Sequence, residues 1–184
     1  MGKGHDERRS TIRTRVSLMG TDKEIKPRIN KSLVQLDLDE LIVLPPLKAL
    51  DLKEWLWQGL VVKEDLFREK VEAHDWKQYQ DADVSIDCSE DAIIPTWAYM
   101  LVAAKASEYA LNIYKGNLLD AKTKQMLAAL ESFDFSQYQD ARIVLKGCAS
   151  VTEEVFMAFV MQARPYAKSI LFGELCSTVP VYKK

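Results

Sequence analysis

His74 to Ala82 reads HDWKQYQDA and Phe133 to Ala141 reads FDFSQYQDA, a pair of strings with six of nine positions identical and 59 residues apart. So specific a string occurring twice marks an internal repeat, and its flanks say what is repeated. Each string runs into a strand-like segment, Asp83 to Asp87 (DVSID) and Arg142 to Lys146 (RIVLK). Each segment then reaches a cysteine, Cys88 in the first copy and, one residue later, Cys148 in the second. Helix signals follow, with Pro95 tolerated in a first turn and Thr152-Glu153-Glu154 opening the other copy. The expected helices run from Thr96 to Glu108 and from Glu153 to Tyr166. They pass into second strands, Leu111 to Tyr114 and Ser169 to Phe172, closed by Gly116 and Gly173. A helix over Leu118 to Ser132 aligns with the stretch ending at Ala73. The copies therefore span about 60–116 and 119–173, each an α-β-α-β unit.

Alternating helices and strands predict an α/β fold, a mostly parallel sheet with helices on both faces and right-handed crossovers. If an approximate two-fold axis relates the copies, the order of the repeat strands is 2-1-3-4, with the first and third side by side. That junction is a topological switch point, where open α/β sheets bind ligands at strand carboxyl ends. Cys88 and Cys148 would end those two strands, about 4.8 Å apart. Cys176 follows the fourth strand, and the tail STVPVYK is expected to fold it over the same rim. A fourth ligand would be water, a carboxylate such as Asp87 or Glu90, or His74, which stands where the other copy has Phe133 but enters its strand from the amino end.

Upstream, Leu33 to Leu38 (LVQLDL) alternates apolar and polar residues as a half-buried strand does. Pro45-Pro46 breaks the chain, Asp51 is an N-cap for a helix bearing Leu52, Trp55 and Leu56, and a second helix spans Glu64 to Ala73. Residues 1–28 are charge-dense and poor in large apolar side chains, which predicts a disordered extension ahead of a single domain over 29–184. Its run Arg8 to Arg15 reads as a solvated tail, His5 needs no role, and Met19 is a second candidate start.

The 184 residues carry a net charge of -2 and 48% hydrophobic residues, an ordinary globular composition. That balance disfavours wholesale nucleic-acid binding, which needs clustered Lys and Arg. No signal peptide or membrane span is expected, so the expected location is the cytoplasm, where three cysteines stay reduced. Three thiolates on one rim suit zinc or iron. Plain core packing is the competing role, since free Cys is among the most buried residue types. As a nucleophile, Cys88 is opposed by Asp87, Glu90 and Asp91, while Cys148 has Lys146 nearby; neither has a His as base. Glycine-rich phosphate loops, the G-x-S-x-G elbow and H-E-x-x-H are all missing.

INKSLVQLDLDE (29–40), FREKVEAHDWKQYQ (67–80), CSEDAIIPTWAYMLVA (88–103), IVLKGC (143–148) and GELCSTVPVYK (173–183) resemble the pattern of the bacterial domain-of-unknown-function 2480 family. The resemblance covers Ile29 to Lys184 and carries no catalytic residue. What it implies is context: such proteins are often encoded near the sulfur-mobilisation system that builds iron-sulfur clusters, so iron-sulfur assembly proteins are the expected partners. The reading reached from sequence is a cysteine-ligated metal-binding accessory protein, with zinc or iron on Cys88, Cys148, Cys176 and His74. The alternatives are an interaction scaffold with buried cysteines and, third, a thiol-dependent sulfur-transfer enzyme.

Overall fold

The computed structural model describes residues 33–184. The extension 1–28, with His5, Arg8 to Arg15 and Met19, lies outside the described residues, as do Ile29 to Ser32.

Among the described residues seven strands and five α-helices alternate, apart from the closing pair of strands. Strand β1 (Val34–Leu36) leads to a one-turn helix α1 (Leu38–Leu41), capped by the Asp37 side chain, which accepts from the Asp39 N–H. Strand β2 (Leu47–Asp51) ends on Asp51, which caps a 3-10 turn over Leu52–Trp55 by accepting from the Lys53 N–H. Then come α2 (Glu64–Ala73), β3 (Asp83–Asp87), α3 (Thr96–Ala106), β4 (Ile113–Lys115), α4 (Leu118–Glu131), β5 (Arg142–Leu145), α5 (Glu153–Ala163), β6 (Ser169–Glu174) and β7 (Ser177–Lys183). The fold is mixed α/β with parallel pairing, and its boundaries fall close to those read from sequence.

The strand order differs from the expected 2-1-3-4. There are two sheets, β2-β3-β4 and β1-β5-β6-β7. A strand has two edges; β3 gives both to β2 and β4, and β5 gives both to β1 and β6, all in parallel. No edge remains for β3 to meet β5. The two upstream strands fill the places that the expected order had given to the two halves of the repeat.

Each sheet has its own core. Val84, Ile86 and Leu50 face Phe67 and Val71 of α2 and Ala98, Val102 and Ala106 of α3. In the other sheet Ile143, Leu145, Val34, Leu36 and Ile170 face Met126 and Leu130 of α4 and Val155, Phe159 and Ala163 of α5. Helix α4 also packs on β2, β3 and β4, so it lies between the sheets. There Asp83, only 1% exposed, accepts from Gln125 Nε2 at 2.6 Å and from Asn112 Nδ2 at 2.9 Å. A buried carboxylate needs such donors.

The repeated strings adopt matching local structure. Asp75 and Asp134 each cap a 3-10 turn, Trp76–Tyr79 and Phe135–Tyr138. Asp81 and Asp140 then both take a left-handed conformation, φ 58° and 60°. Aspartate tolerates that region better than most residues, which explains why the same residue stands at both turns into a central strand.

Candidate functional site

The four sequence-derived ligands do not converge. Cys88 follows β3 in one sheet and packs against that sheet's core. Cys148 follows β5 in the other sheet and packs against the other core. The expectation of neighbouring sulfurs rested on β3 beside β5, and it goes with that pairing. Cys176 is exposed in the tight turn between β6 and β7, which pair antiparallel. The tail forms an edge strand and does not fold back over the rim.

His74 follows the C-terminus of α2, at the amino end of β3 and so opposite Cys88. Its ring stacks on Tyr79 (5.7 Å) and meets Trp55 and Trp76 edge-on. In the other half Phe133 stacks on Tyr138 and meets Phe135 edge-on. His74 thus does the packing that phenylalanine does 59 residues later, with its Nε2 held 3.1 Å from Tyr79 Oη. Burial holds its pKa below the usual histidine value, as desolvation of the imidazolium requires. Among the described residues no group of three or more His, Cys, Asp or Glu is arranged to hold a metal ion. Among the described residues, Cys88, Cys148, Cys176 and His74 are therefore not gathered into a zinc or iron centre.

What the structure does assemble is a polar cluster around Cys148, at the carboxyl ends of β1 and β5. Cys148 Sγ donates to Asp39 Oδ2 at 3.4 Å and lies 2.9 Å from Ser150 Oγ. Ser150 Oγ also donates to Asp39 Oδ2. Lys122 of α4 donates to Asp39 Oδ1 at 2.6 Å, and Lys146 pairs with Asp37 at 3.4 Å. Gly147 precedes the thiol because a Cβ there would come within 3.2 Å of the Phe172 ring.

The chemistry of this cluster follows from its charges. Lys122 and Ser150 hold the Asp39 carboxyl below its ordinary pKa, so it is a carboxylate at neutral pH. Moving a proton from an ordinary thiol to an ordinary aspartate costs about 6 kcal/mol, and the lowered Asp39 makes the transfer harder still. Asp39 therefore orients the thiol and does not act as its base. The thiol is placed as a hydrogen-bond donor to Asp39.

Sequence reading missed Asp39, Ser150 and Lys122. One signal was available: Leu36-Asp37-Leu38-Asp39-Glu40 and Leu50-Asp51-Leu52-Lys53-Glu54 share four of five residues. Asp37 follows β1, which flanks β5, and Asp51 ends β2, which flanks β3; Asp51 in turn accepts from Ser89 N–H and Oγ, just beyond Cys88.

No helix among the described residues is long and apolar enough to cross a membrane. No curated protein and no solved structure matches the chain. A family model described as protein of unknown function (DUF2480) matches residues 23–184, nearly the whole chain, and the protein belongs to that family.

Proposed function

We propose that the protein is a non-catalytic interaction scaffold whose docking face is the outer side of α5 with the neighbouring β6–β7 hairpin. The observation that carries this reading is the composition of α5. After its first two glutamates it reads VFMAFVMQA, with Gln162 its only polar residue. A helix apolar on all sides is ordinarily buried on all sides. Here Met157 is 65% and Met161 74% exposed, four residues apart on one stripe. Phe156 extends the stripe to Phe172 at 5.4 Å, and Phe172 and its strand partner Val179 are both exposed. Methionine adapts its shape to a partner surface, and an exposed apolar patch of this kind marks an interaction site. The outward Met100 of α3, in a helix equally poor in charge, supports duplication of the α-β-α-β unit with the same outer character.

The partners to test first are the iron-sulfur assembly proteins that the family's genomic setting suggests. Size-exclusion chromatography of the full chain with purified sulfur-mobilisation components is expected to give a stoichiometric complex. Met157→Glu/Met161→Glu, both outward, should weaken it at least tenfold without changing the unfolding midpoint. Failure of the wild type to bind, or undiminished binding by the double variant, overturns the reading.

A second reading rests on the contact between Cys148 and Asp39. Together they offer one sulfur and one oxygen donor to zinc or iron, the remaining ligands coming from a partner once Lys122 is displaced. Stoichiometric metal in complexes purified without oxygen, lost in Cys148→Ser, would favour this metal-handling role over the scaffold.

A further inference from the structure

Among the described residues one sheet face carries no helix. Helices α2 and α3 belong to the core with Val84 and Ile86 of β3, and α1, α4 and α5 to the core with Ile143 and Leu145 of β5. Helix α4 also closes the second face of the β2-β3-β4 sheet, where Gln125 bonds Asp83. The second face of the β1-β5-β6-β7 sheet receives none of the five described helices. Strand alternation places Gln35, Val144 and Leu171 there side by side, with Pro180 beyond them and Arg142 two residues toward the amino end of β5. Gln35, Arg142 and Pro180 are exposed. Val144 is 1% exposed yet belongs to neither core, so its side chain points away from α4 and α5.

The offset of 59 residues that aligns the two repeated strings says what fits this face. It sets Asp83 against Arg142, Ser85 against Val144, and Leu66 of α2 against Gln125 of α4. Face and helix change character together. The covered face presents an acid and a hydroxyl, Asp83 and Ser85, to a helix that brings an amide. The uncovered face presents Arg142 and Val144, with Leu171 beside them. Helix α2 brings Leu66, 42% exposed, between Asp65 and Glu69, the latter one turn on. An apolar row with a basic neighbour thus matches an apolar side chain between two acids. Only Phe67 and Val71 of α2 are buried, so the stripe bearing Leu66 faces outward.

We infer that the uncovered face is a docking surface for a second copy of this chain, whose α2 packs against Gln35, Val144 and Leu171 as α4 packs on the β2-β3-β4 sheet within the chain. The inference rests on the duplication proposed above and is separate from the α5 docking face. Phe172 and Val179, which border α5, lie on the other side of β6 and β7 from Leu171. The two surfaces that meet are different, so the contact is heterologous. Each added copy carries another uncovered face, and association runs on beyond a pair unless the rotation closes a ring.

Sedimentation of the full chain tests this. The average mass should climb with concentration past that of a pair by about 1 mM, the weak end of specific association. Leu66→Lys sets a cation against Arg142, and Leu171→Glu sets an acid against Asp65 and Glu69. Each alone should weaken association roughly tenfold or more, through like-charge contact, with the unfolding midpoint unchanged. Gln35→Glu, exposed in the same row, replaces Leu171→Glu if that variant loses its fold. Mixed in equal amounts, the helix variant and the sheet variant keep one intact α2 and one intact sheet face between them, and should form a one-to-one pair that grows no further. Met157→Glu/Met161→Glu should associate as the wild type does. A wild-type chain that stays monomeric to about 1 mM, a mixture that forms no pair, or association lost in the α5 double variant would each overturn the inference.

Discussion

Gln125 Nε2 donates to Asp83 Oδ2 at 2.6 Å across the junction between α4 and the β2-β3-β4 sheet. The same nitrogen reaches the Pro45 carbonyl at 3.3 Å, so a single amide ties helix, sheet and the start of β2 together. Both side chains are buried. Gln125→Leu leaves the carboxylate short of a donor and is expected to cost about 3 kcal/mol. Urea unfolding of Gln125→Leu, Asp83→Asn and the double variant should show a coupling of at least about 1 kcal/mol; additive effects would mean that the two side chains act separately.

The same carboxylate governs Tyr114. Burial first, then the charge and hydrogen bond of Asp83, push the Tyr114 hydroxyl up to about 12, and burial alone does the same for Tyr138. A tyrosine whose folded value lies above its unfolded value near 10 stabilises the fold fully below pH 10. That contribution is lost as pH rises toward 12, because the unfolded chain releases its proton first. Tyrosinate absorbance should show Tyr114 and Tyr138 titrating last among the seven tyrosines, with Tyr79 and Tyr99 also delayed by burial. Asp83→Asn should bring the Tyr114 midpoint down and leave Tyr138 in place.

His74 gives a prediction of opposite sense on the acid side. Burial among Trp55, Trp76 and Tyr79 lowers its pKa from 6.5. As pH falls through 6.5 the unfolded chain takes up a proton before the folded one does, so stability drops. His74→Phe installs the ring that Phe133 supplies in the other half. Its thermal midpoint should stay close to wild type at pH 8 and exceed it at pH 5. Identical acid dependence in the two proteins would mean that this imidazole is not the titrating group.

Much of this fold is legible in the strings around residues 74 and 133. Their 3-10 turns, left-handed aspartates and following strands depend on local chemistry that any reader of the sequence can see. Strand β2 is different. Leu47–Asp51 has Lys48 and Ala49 exposed and only Leu50 buried, so it shows no alternation, and Asp51 reads as a helix cap, which it also is. It is a strand because β3 pairs with it, and that partner lies more than thirty residues away. Misplacing it produced the single-sheet order, and with it the meeting of Cys88 and Cys148. The cluster that does form joins Asp39 to Cys148 and Ser150 across 109 and 111 residues, a contact set by the β1–β5 pairing and invisible to spacing.

The left-handed turns at Asp81 and Asp140 can be tested by substitution. Asp140 N–H donates to the Tyr166 carbonyl at 2.9 Å, which ties the turn to the segment just after α5. A β-branched residue at φ 60° clashes with its own backbone, so Asp140→Val should cost about 1–2 kcal/mol. Asp140→Gly relieves the strain at some entropic expense and should fall within about 1 kcal/mol of wild type. A valine variant as stable as the glycine one would show that this turn relaxes out of the left-handed region.

Gly173 is the more demanding position. It sits in β6 at φ 124°, and a Cβ there would lie 2.5 Å from the Ser177 backbone carbonyl, across the antiparallel pairing that joins β6 to β7. Neither the strand conformation nor the backbone contact can be relieved by moving a flexible side chain. Gly173→Ala should therefore unpair the hairpin at its tip before it disturbs the parallel strands. Hydrogen exchange is expected to rise across Thr178 to Tyr182 and stay unchanged in β5. If the hairpin helps to form the docking face beside α5, partner binding should fall in this variant together with Met157→Glu/Met161→Glu. Retained binding with an opened hairpin would confine the docking face to α5 alone.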